Sequence, residues 1–237
     1  MKFKIFTAAV NNPFFLEVQS KNFKKFLDCD YEFCVIDDAK HQEISELFYK
    51  IAEENGVRYV SFPERNKHIG SHSTDRVIQW TYENYIKTEC SDDLVLFLDS
   101  DLFLIDKFDP YEFMKDSTIA ALMQNRGHVN YIWNGIMFFN MEKILKLKGD
   151  LDFNLGNIEG HACDSGGHTY YFIKENKIEV KDVQQVYNGF CKGYELENME
   201  TFIEGKFLHF RGGTLWDGKV DVYERKLKIL QNILSTI

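Results

Sequence analysis

The sequence has few prolines, no paired cysteine motif and no long apolar run. Its 237 residues include three prolines and no linker, repeat or low-complexity segment, so we expect one domain with a sizeable core. The five cysteines are scattered, which favours reduced thiols in a cytoplasmic setting over a zinc site. No segment approaches the roughly 20 apolar residues that span a bilayer, which predicts a soluble chain without a transmembrane segment.

Positive charge is also scarce. The sequence contains 28 Lys and Arg against 37 Asp and Glu, which gives a formal net charge of −9. This balance argues against a protein that binds nucleic acid through its general surface field. An anionic ligand such as a diphosphate would need local cations or a metal ion to overcome that field.

The first half of the sequence alternates strands and helices. Periodicity predicts strands at 3–6, 32–36, 57–62 and 94–98, and helices at 14–26, at 42–54 and after Ser73 or Thr74. This order is typical of a parallel sheet covered by helices on both faces. The second half is mixed, with short strands at 119–123, 136–139 and 207–210 and helices at 164–174 and 221–234.

Two carboxylates follow the most apolar of these strands. Five apolar residues, 94–98, run directly into Asp99-Ser100-Asp101. An uninterrupted apolar run predicts a strand buried on both faces, and ligands of open α/β sheets bind at the carboxyl ends of such strands. Two neighbouring carboxylates repel each other unless a cation or a proton neutralises them. A hard divalent cation bound through oxygen, Mg²⁺ or Mn²⁺, is the expected partner, and an acidic turn is the alternative.

With this motif, three further segments resemble GT-A-type glycosyltransferases, which use nucleotide-sugar donors. These segments are Gly70–Ser73 with Arg76, Trp133–Asn140 and His209–Gly213. The resemblance implies an α/β fold with a single GT-A-like domain, in which helices flank a central, mostly parallel sheet. Residues 1–105 would form the nucleotide-binding half, and residues 106–237 a mixed acceptor-side half that completes the cleft.

The resemblance also implies a metal site. Asp101 would bind the ion directly, and Asp99 would contact the donor ribose and the metal. His209 could add an imidazole nitrogen, which favours Mn²⁺ over Mg²⁺. The alternative for His209 is a core histidine between its apolar neighbours Leu208 and Phe210.

Further residues are assigned to the donor by the same resemblance, each with a structural alternative. The turn at residues 7–9 would hold the nucleoside through its backbone or be only a small-residue turn. One of Asp37 and Asp38, at the end of the second strand, could accept a hydrogen bond from the base or ribose, or both could be surface acids, and Asp38 is the one assigned to the donor. Arg76 and Arg211 could face the diphosphate or be solvated. The nucleotide-binding set is Thr7, Ala8, Ala9, Asp38, Arg76, Asp99, Ser100, Asn134, Gly135, Arg211 and Gly212.

Asp164 is the candidate catalytic base, because inversion at the anomeric carbon needs a carboxylate that takes the proton of the acceptor hydroxyl. Its alternative is an N-cap of the following helix, and in a retaining enzyme it would hold the donor sugar instead. Tyr131, Trp133 and Trp216 could stack on sugar faces, although packing in the core or at the rim is favoured for each.

Together with these residues, the resemblance implies a metal-dependent enzyme that transfers a hexose from a nucleotide-diphosphate sugar, with UDP as the expected carrier, to a hydroxyl of a glycan or small acceptor. The alternative from another class is a non-catalytic module that binds a nucleotide sugar or glycan. A phosphohydrolase is disfavoured because its Asp-x-Asp usually follows the first strand rather than the fourth. A sugar nucleotidyltransferase is disfavoured because no Gly-rich, basic loop follows Phe6.

Overall fold

The structure is a computed structural model that describes residues 1–65, 71–187, 189–191, 194–196, 200–212, 227, 228, 230–232 and 235. The strands are β1 (Phe3–Ala9), β2 (Tyr31–Asp37), β3 (Arg58–Ser61), β4 (Leu94–Asp99), β5 (Leu102–Leu104), β6 (Ile119–Arg126), β7 (Val129–Asn140), β8 (Gly156–Ile158), β9 (His161–Cys163), β10 (Lys181–Asp182), β11 (Gln185–Val186), β12 (Gly189–Cys191), β13 (Tyr194–Leu196), β14 (Glu200–Ile203) and β15 (Phe207–Phe210). The helices are α1 (Pro13–Phe26), α2 (Gln42–Asn55), α3 (Ser71–Thr81), α4 (Lys87–Glu89), α5 (Pro110–Met114), α6 (Met141–Ile144) and α7 (Thr169–Asn176), and a π-helical turn (Tyr82–Ile86) joins α3 to α4.

The central sheet has seven strands in the order β10-β6-β7-β4-β1-β2-β3. Strands β1 to β4 are parallel, and β7 is antiparallel to both of its neighbours, β4 and β6. Strand β10 is parallel to β6, so every strand except β7 points the same way. The predicted central, mostly parallel sheet is therefore confirmed.

A second sheet of four antiparallel strands, in the order β11-β14-β15-β5, adjoins the first. Strand β5 begins directly after Asp101, so the two sheets are joined through the Asp-Ser-Asp turn. Two hairpins complete the architecture, β8 with β9 and β12 with β13. The turn with the carboxylates therefore lies where the parallel sheet gives way to the mixed half.

Strand β4 is buried because helices cover both faces of the central sheet. Leu94, Leu96 and Leu98 belong to the apolar cluster on the face of α1 and α2. Val95 and Phe97 belong to the cluster on the opposite face, which includes residues of α3. Each fully buried side chain of this size contributes roughly 1.5–3 kcal/mol to the stability of the fold, so β4 holds the residues at its end in a well-defined position.

Several elements differ in extent from their predictions. The two short strands predicted at 119–123 and 136–139 are longer, eight and twelve residues, because polar residues in β7 interrupt its apolar pattern. The helix predicted to start at Asp164 starts at Thr169, since Gly166 adopts a positive φ of 94° that a helix does not allow. The helix predicted at 221–234 lies mostly outside the described residues. Leu230, which is described, is buried against Phe15 and Phe103.

Candidate active site

The Asp99-Ser100-Asp101 turn is fixed from below by Gln19 of α1. The Gln19 side-chain amide donates to the carbonyl oxygens of Asp99, at 3.0 Å, and of Leu102, at 2.9 Å. Gln19 is fully buried, and each hydrogen bond of this kind contributes about 0.5–1.5 kcal/mol to stability. One side chain thus holds both ends of the turn.

Strand β15 brings His209 to the same place. It pairs with β5 so that His209 lies opposite Leu102, and the Phe210 amide donates to the Asp101 carbonyl oxygen at 3.0 Å. His209 Nε2 then lies 3.5 Å from Asp101 Oδ1. One candidate ligand atom each from Asp99, Asp101 and His209 lies within 4.8 Å of the other two. The structure therefore brings His209, which is distant in sequence, to the two neighbouring carboxylates, so that the three residues predicted as metal ligands lie together.

The electrostatics of this cluster would favour a bound cation. Asp101 and His209 are buried and Asp99 is partly buried. Burial, and then the charge of Asp101, raise the pKa of the Asp99 carboxyl well above its ordinary value. A divalent cation would relieve both causes. Two carboxylates and one imidazole form a mixed oxygen and nitrogen donor set that fits Mn²⁺ and, less well, Mg²⁺.

A bulge in β7 places Trp133 against His209. On β6 a single residue lies between Ala121 and Met123. Their partners on β7, Met137 and Ile132, are separated by four residues, and the extra residues form the bulge. The Trp133 ring lies 5.3 Å from the His209 ring, centroid to centroid.

Gly135 makes this placement possible, because a Cβ there would lie 1.9 Å from the Trp133 ring. The pairing of β7 with β4 ends at Ile136 and Leu98, so Gly135 and Asp99 are the residues next to this last pair. The glycine of the predicted Asn-Gly segment thus serves the packing of an aromatic ring on the candidate metal ligand.

The same bulge holds the loop that carries Asp164. The buried Asn134 side chain donates to Ser165 Oγ at 2.8 Å. A Cβ on Gly166 would lie 2.1 Å from the Ile132 carbonyl oxygen, so the loop requires glycine there. Asp164 is exposed, and its Oδ1 accepts the Ser165 amide at 2.8 Å. Asp164 does not cap α7, whose N-cap is His168, and this removes the structural alternative considered for it.

The predicted nucleoside end lies next to the carboxylates. Ala8 of β1 pairs with Asp99 of β4, and the Asp38 amide donates to the Ala9 carbonyl oxygen at 2.8 Å. Asp38 is buried, not a surface acid, and accepts a hydrogen bond from Ser73 Oγ at 2.5 Å. Burial raises the pKa of the Asp38 carboxyl to about 6.

The neighbouring Asp37 has a structural role. Its carboxylate is fully buried and accepts hydrogen bonds from the Ala39 amide at 2.8 Å, Tyr59 Oη at 2.6 Å and the Ser45 hydroxyl. Arg65 forms an ion pair with it at 2.8 Å. These partners tie β2 to α2 and β3, which leaves Asp38 as the candidate for ligand binding at this end of the sheet.

The two arginine side chains predicted to face the diphosphate lie at the surface. Arg76 is exposed on α3. Arg211 is exposed directly after β15, with its guanidinium 5.5 Å from the Tyr187 ring, and Gly212 beside it has a positive φ of 67°. Gly70, Gly213 and Trp216 lie outside the described residues.

Sequence reasoning missed three polar residues beside the site. Gln19 holds the turn, Thr201 Oγ lies 3.3 Å from His209 Nδ1, and the Gln185 amide donates to Thr201 Oγ. Gln19 could have been found, because it shares the buried side of α1 with Leu16 and Phe23 at helical spacing. A polar residue on such a side needs an internal partner. No sequence pattern identifies Gln185 or Thr201, because the short strands of the mixed half do not allow the pairing of β11 with β14 to be predicted.

Comparisons with known proteins agree with the fold. No protein-family model matches the sequence, and no curated protein is significantly similar to it. The mannosyltransferase PcManGT from Pyrobaculum calidifontis, solved with GDP-Man and Mn²⁺, is 11% identical with a TM-score of 0.50, over 84% of this chain and 57% of its own. The galactosyltransferase LgtC, solved with donor and acceptor sugar analogs, is 19% identical with a TM-score of 0.39, over 59% of this chain and 58% of its own.

A third solved structure, the CTP:phosphocholine cytidylyltransferase LicC from Streptococcus pneumoniae, is 13% identical with a TM-score of 0.43, over 78% of this chain and 91% of its own. At these identities the likeness concerns the fold. The chain shares its α/β fold with PcManGT, which confirms the predicted GT-A-like fold. It spans 57–58% of the length of PcManGT and LgtC. Among the described residues, no helix has the length and apolar character needed to cross a bilayer.

Proposed function

We propose that the protein is a metal-dependent glycosyltransferase that moves a hexose from a UDP-linked sugar to a hydroxyl of a glycan or small acceptor. The observation that carries this proposal is the cluster of Asp99, Asp101 and His209 at the carboxyl end of β4. In open α/β sheets this edge is where nucleotides bind. A buried pair of carboxylates with an imidazole is costly to maintain in a protein that has no use for a cation.

In this proposal Asp101 and His209 hold a divalent cation together with Asp99. When bound, the cation stabilises the negative charge that grows on the diphosphate as it leaves. The backbone of Thr7, Ala8 and Ala9 and the carboxylate of Asp38 face the nucleoside. Further donor contacts come from Ser100, Asn134, Gly135, Arg76, Arg211 and Gly212.

Transfer itself needs one bond to break and one to form. The bond from the anomeric carbon to the phosphate oxygen breaks, and its electron pair leaves with the diphosphate. The acceptor oxygen forms the new bond to that carbon, and its proton passes to the carboxylate of Asp164 in an inverting reaction. Exposure of Asp164 and the tie from Asn134 through Ser165 support a fixed carboxylate that an acceptor can reach.

Thermal shift with a panel of nucleotide sugars, each with and without Mn²⁺, tests donor and metal together. We expect stabilisation by one UDP-sugar that requires Mn²⁺, and slow Mn²⁺-dependent release of UDP from it. Asp101→Ala should lose both responses, whereas Asp116→Ala, at an exposed acid of the mixed half, should keep them. A response to no nucleotide sugar, or one that ignores the metal, would contradict the proposal. Tight binding without transfer to any acceptor would favour the non-catalytic module.

A further inference from the structure

We propose that Thr201 and Gln185 are positioning residues that orient the His209 imidazole toward the two carboxylates, an inference that rests on the metal site of the proposed function. Thr201 Oγ lies 3.3 Å from His209 Nδ1, the nitrogen that faces away from Asp101. The Gln185 side-chain amide donates to the same oxygen at 2.7 Å. A chain of hydrogen bonds thus leads from Gln185 through Thr201 to the imidazole.

The second sheet produces this chain by its strand order. Strand β15 carries His209, and its neighbour β14 places Thr201 directly opposite in the antiparallel register. The next strand, β11, pairs Gln185 with Ile203, which puts Gln185 diagonal to Thr201 on the ladder. Gln185, Thr201 and His209 come from three adjacent strands of the second sheet. They therefore form a row of hydrogen-bonded side chains that leads to the carboxylates.

Burial makes these contacts specific. Thr201 and His209 are 1% and 4% exposed, so water does not compete for their polar atoms. A hydroxyl both donates and accepts, which lets Thr201 bond to Nδ1 in either tautomer of the ring. Metal-binding histidines generally use their second nitrogen in this way, and loss of that partner typically weakens metal binding 10–100-fold. The Trp133 ring also packs against His209, with the two ring planes tilted by 48°, so the imidazole is held by a hydrogen bond and by contact with an aromatic ring.

The competing explanation is that Thr201 only satisfies a core histidine. Substitution separates the two, because a purely structural hydrogen bond contributes to stability without affecting the affinity for metal. Thr201→Val removes the hydroxyl at nearly constant volume, and Thr201→Ser retains it. Thr81→Val is a matched control, since Thr81 is fully buried and its hydroxyl donates to the Val77 carbonyl oxygen at 2.7 Å within α3.

Calorimetric titration with Mn²⁺ alone is the first measurement. We expect Thr201→Val to weaken Mn²⁺ binding about 10–100-fold. Thr201→Ser should stay close to the unmodified protein, and Thr81→Val should bind Mn²⁺ normally despite lower stability. Gln185→Met should give a smaller loss than Thr201→Val, because it removes only the outer bond of the chain. Unchanged Mn²⁺ affinity in Thr201→Val would overturn the inference.

A second measurement needs no metal. The ¹⁵N chemical shift of His209 Nδ1 in the metal-free protein should change in Thr201→Val and be restored in Thr201→Ser. If the unmodified protein binds no Mn²⁺, the metal site of the proposed function fails, and this signal still decides whether Thr201 orients the ring. An Nδ1 signal that is the same in all variants would overturn the inference in either case.

Discussion

Replacement of Asp101 by asparagine should make the metal-free protein more stable while it removes the response to metal. Asp99 and Asp101 lie in one buried turn with their oxygens within 4.8 Å. Burial and the charge of Asp101 raise the pKa of Asp99, which means that ionising both groups is unfavourable in the folded state. Asparagine has nearly the shape of aspartate and no charge, so Asp101→Asn removes the repulsion and keeps the packing of the turn.

The magnitude follows from Coulomb's law. Two unit charges 4.8 Å apart repel by roughly 3.5 kcal/mol at an effective dielectric constant of about 20. Asp99 recovers part of this by taking up a proton, so we expect a net gain of about 1–3 kcal/mol. For a domain of this size each kcal/mol raises the unfolding temperature by about 2–4 °C. Asp101→Asn should therefore unfold roughly 2–12 °C higher than the unmodified protein in a chelating buffer.

Thermal unfolding at pH 7.5, with a chelator and then with excess Mn²⁺, measures both effects. At 100 times its dissociation constant a ligand stabilises the folded state by about 2.7 kcal/mol. Mn²⁺ should thus raise the unfolding temperature of the unmodified protein and leave that of Asp101→Asn unchanged, so that the difference between the two proteins shrinks or reverses. Asp116→Asn serves as the control for loss of an exposed carboxylate.

Two results would refute this reasoning. If Asp101→Asn is less stable than the unmodified protein in the chelating buffer, the carboxylate pair is not a source of repulsion. If Asp101→Asn keeps the full shift with Mn²⁺, the ion binds elsewhere. The first result concerns the electrostatics of the turn and the second the assignment of the ligand, so the experiment separates them.

Four further substitutions test other parts of the site. The pKa of Asp38 is raised to about 6, so ionisation of this carboxyl destabilises the folded state as pH rises through 4–6. Asp38→Asn should therefore raise the free energy of unfolding by roughly 2–3 kcal/mol at pH 7.5 and leave it unchanged at pH 4, as measured by urea unfolding. Gln19→Met removes two buried donors and should cost about 2–4 kcal/mol in the same assay. Gly135→Ala displaces the Trp133 ring and should weaken Mn²⁺ binding in calorimetry while secondary structure by circular dichroism stays intact. Asp164→Asn should leave donor binding unchanged and stop transfer in a product assay; full transfer would remove it from the role of base.

Most of the parallel half could be predicted from the sequence because local pattern and global burial agree there. The five apolar residues before Asp99 predict a strand that is covered on both sides, and β4 has apolar clusters on both faces. The spacing of apolar residues likewise predicts α1 and α2 close to their observed ends. Such elements depend on residues that are near each other in the chain.

The proximity of His209 to Asp99 and Asp101 could be predicted only through family resemblance. More than a hundred residues separate Asp101 from His209, and no periodicity in the sequence indicates that β15 pairs with β5. That pairing depends on two short strands of three and four residues, whose apolar side chains fit many registers. The His-Phe-Arg-Gly motif predicted the outcome, and the register gives it a physical cause.

The bulge in β7 shows why the rest of the site could not be predicted. In the sequence, Trp133, Asn134 and Gly135 interrupt an apolar pattern and so favour a loop between two short strands. In the structure the same three residues leave the ladder in the middle of a twelve-residue strand and serve three neighbours. Trp133 packs on His209, Asn134 holds Ser165 beside Asp164, and Gly135 adjoins the last residue pair between β7 and β4. Each contact joins segments distant in sequence, so the bulge is defined by what surrounds it and links the candidate metal site to the candidate base.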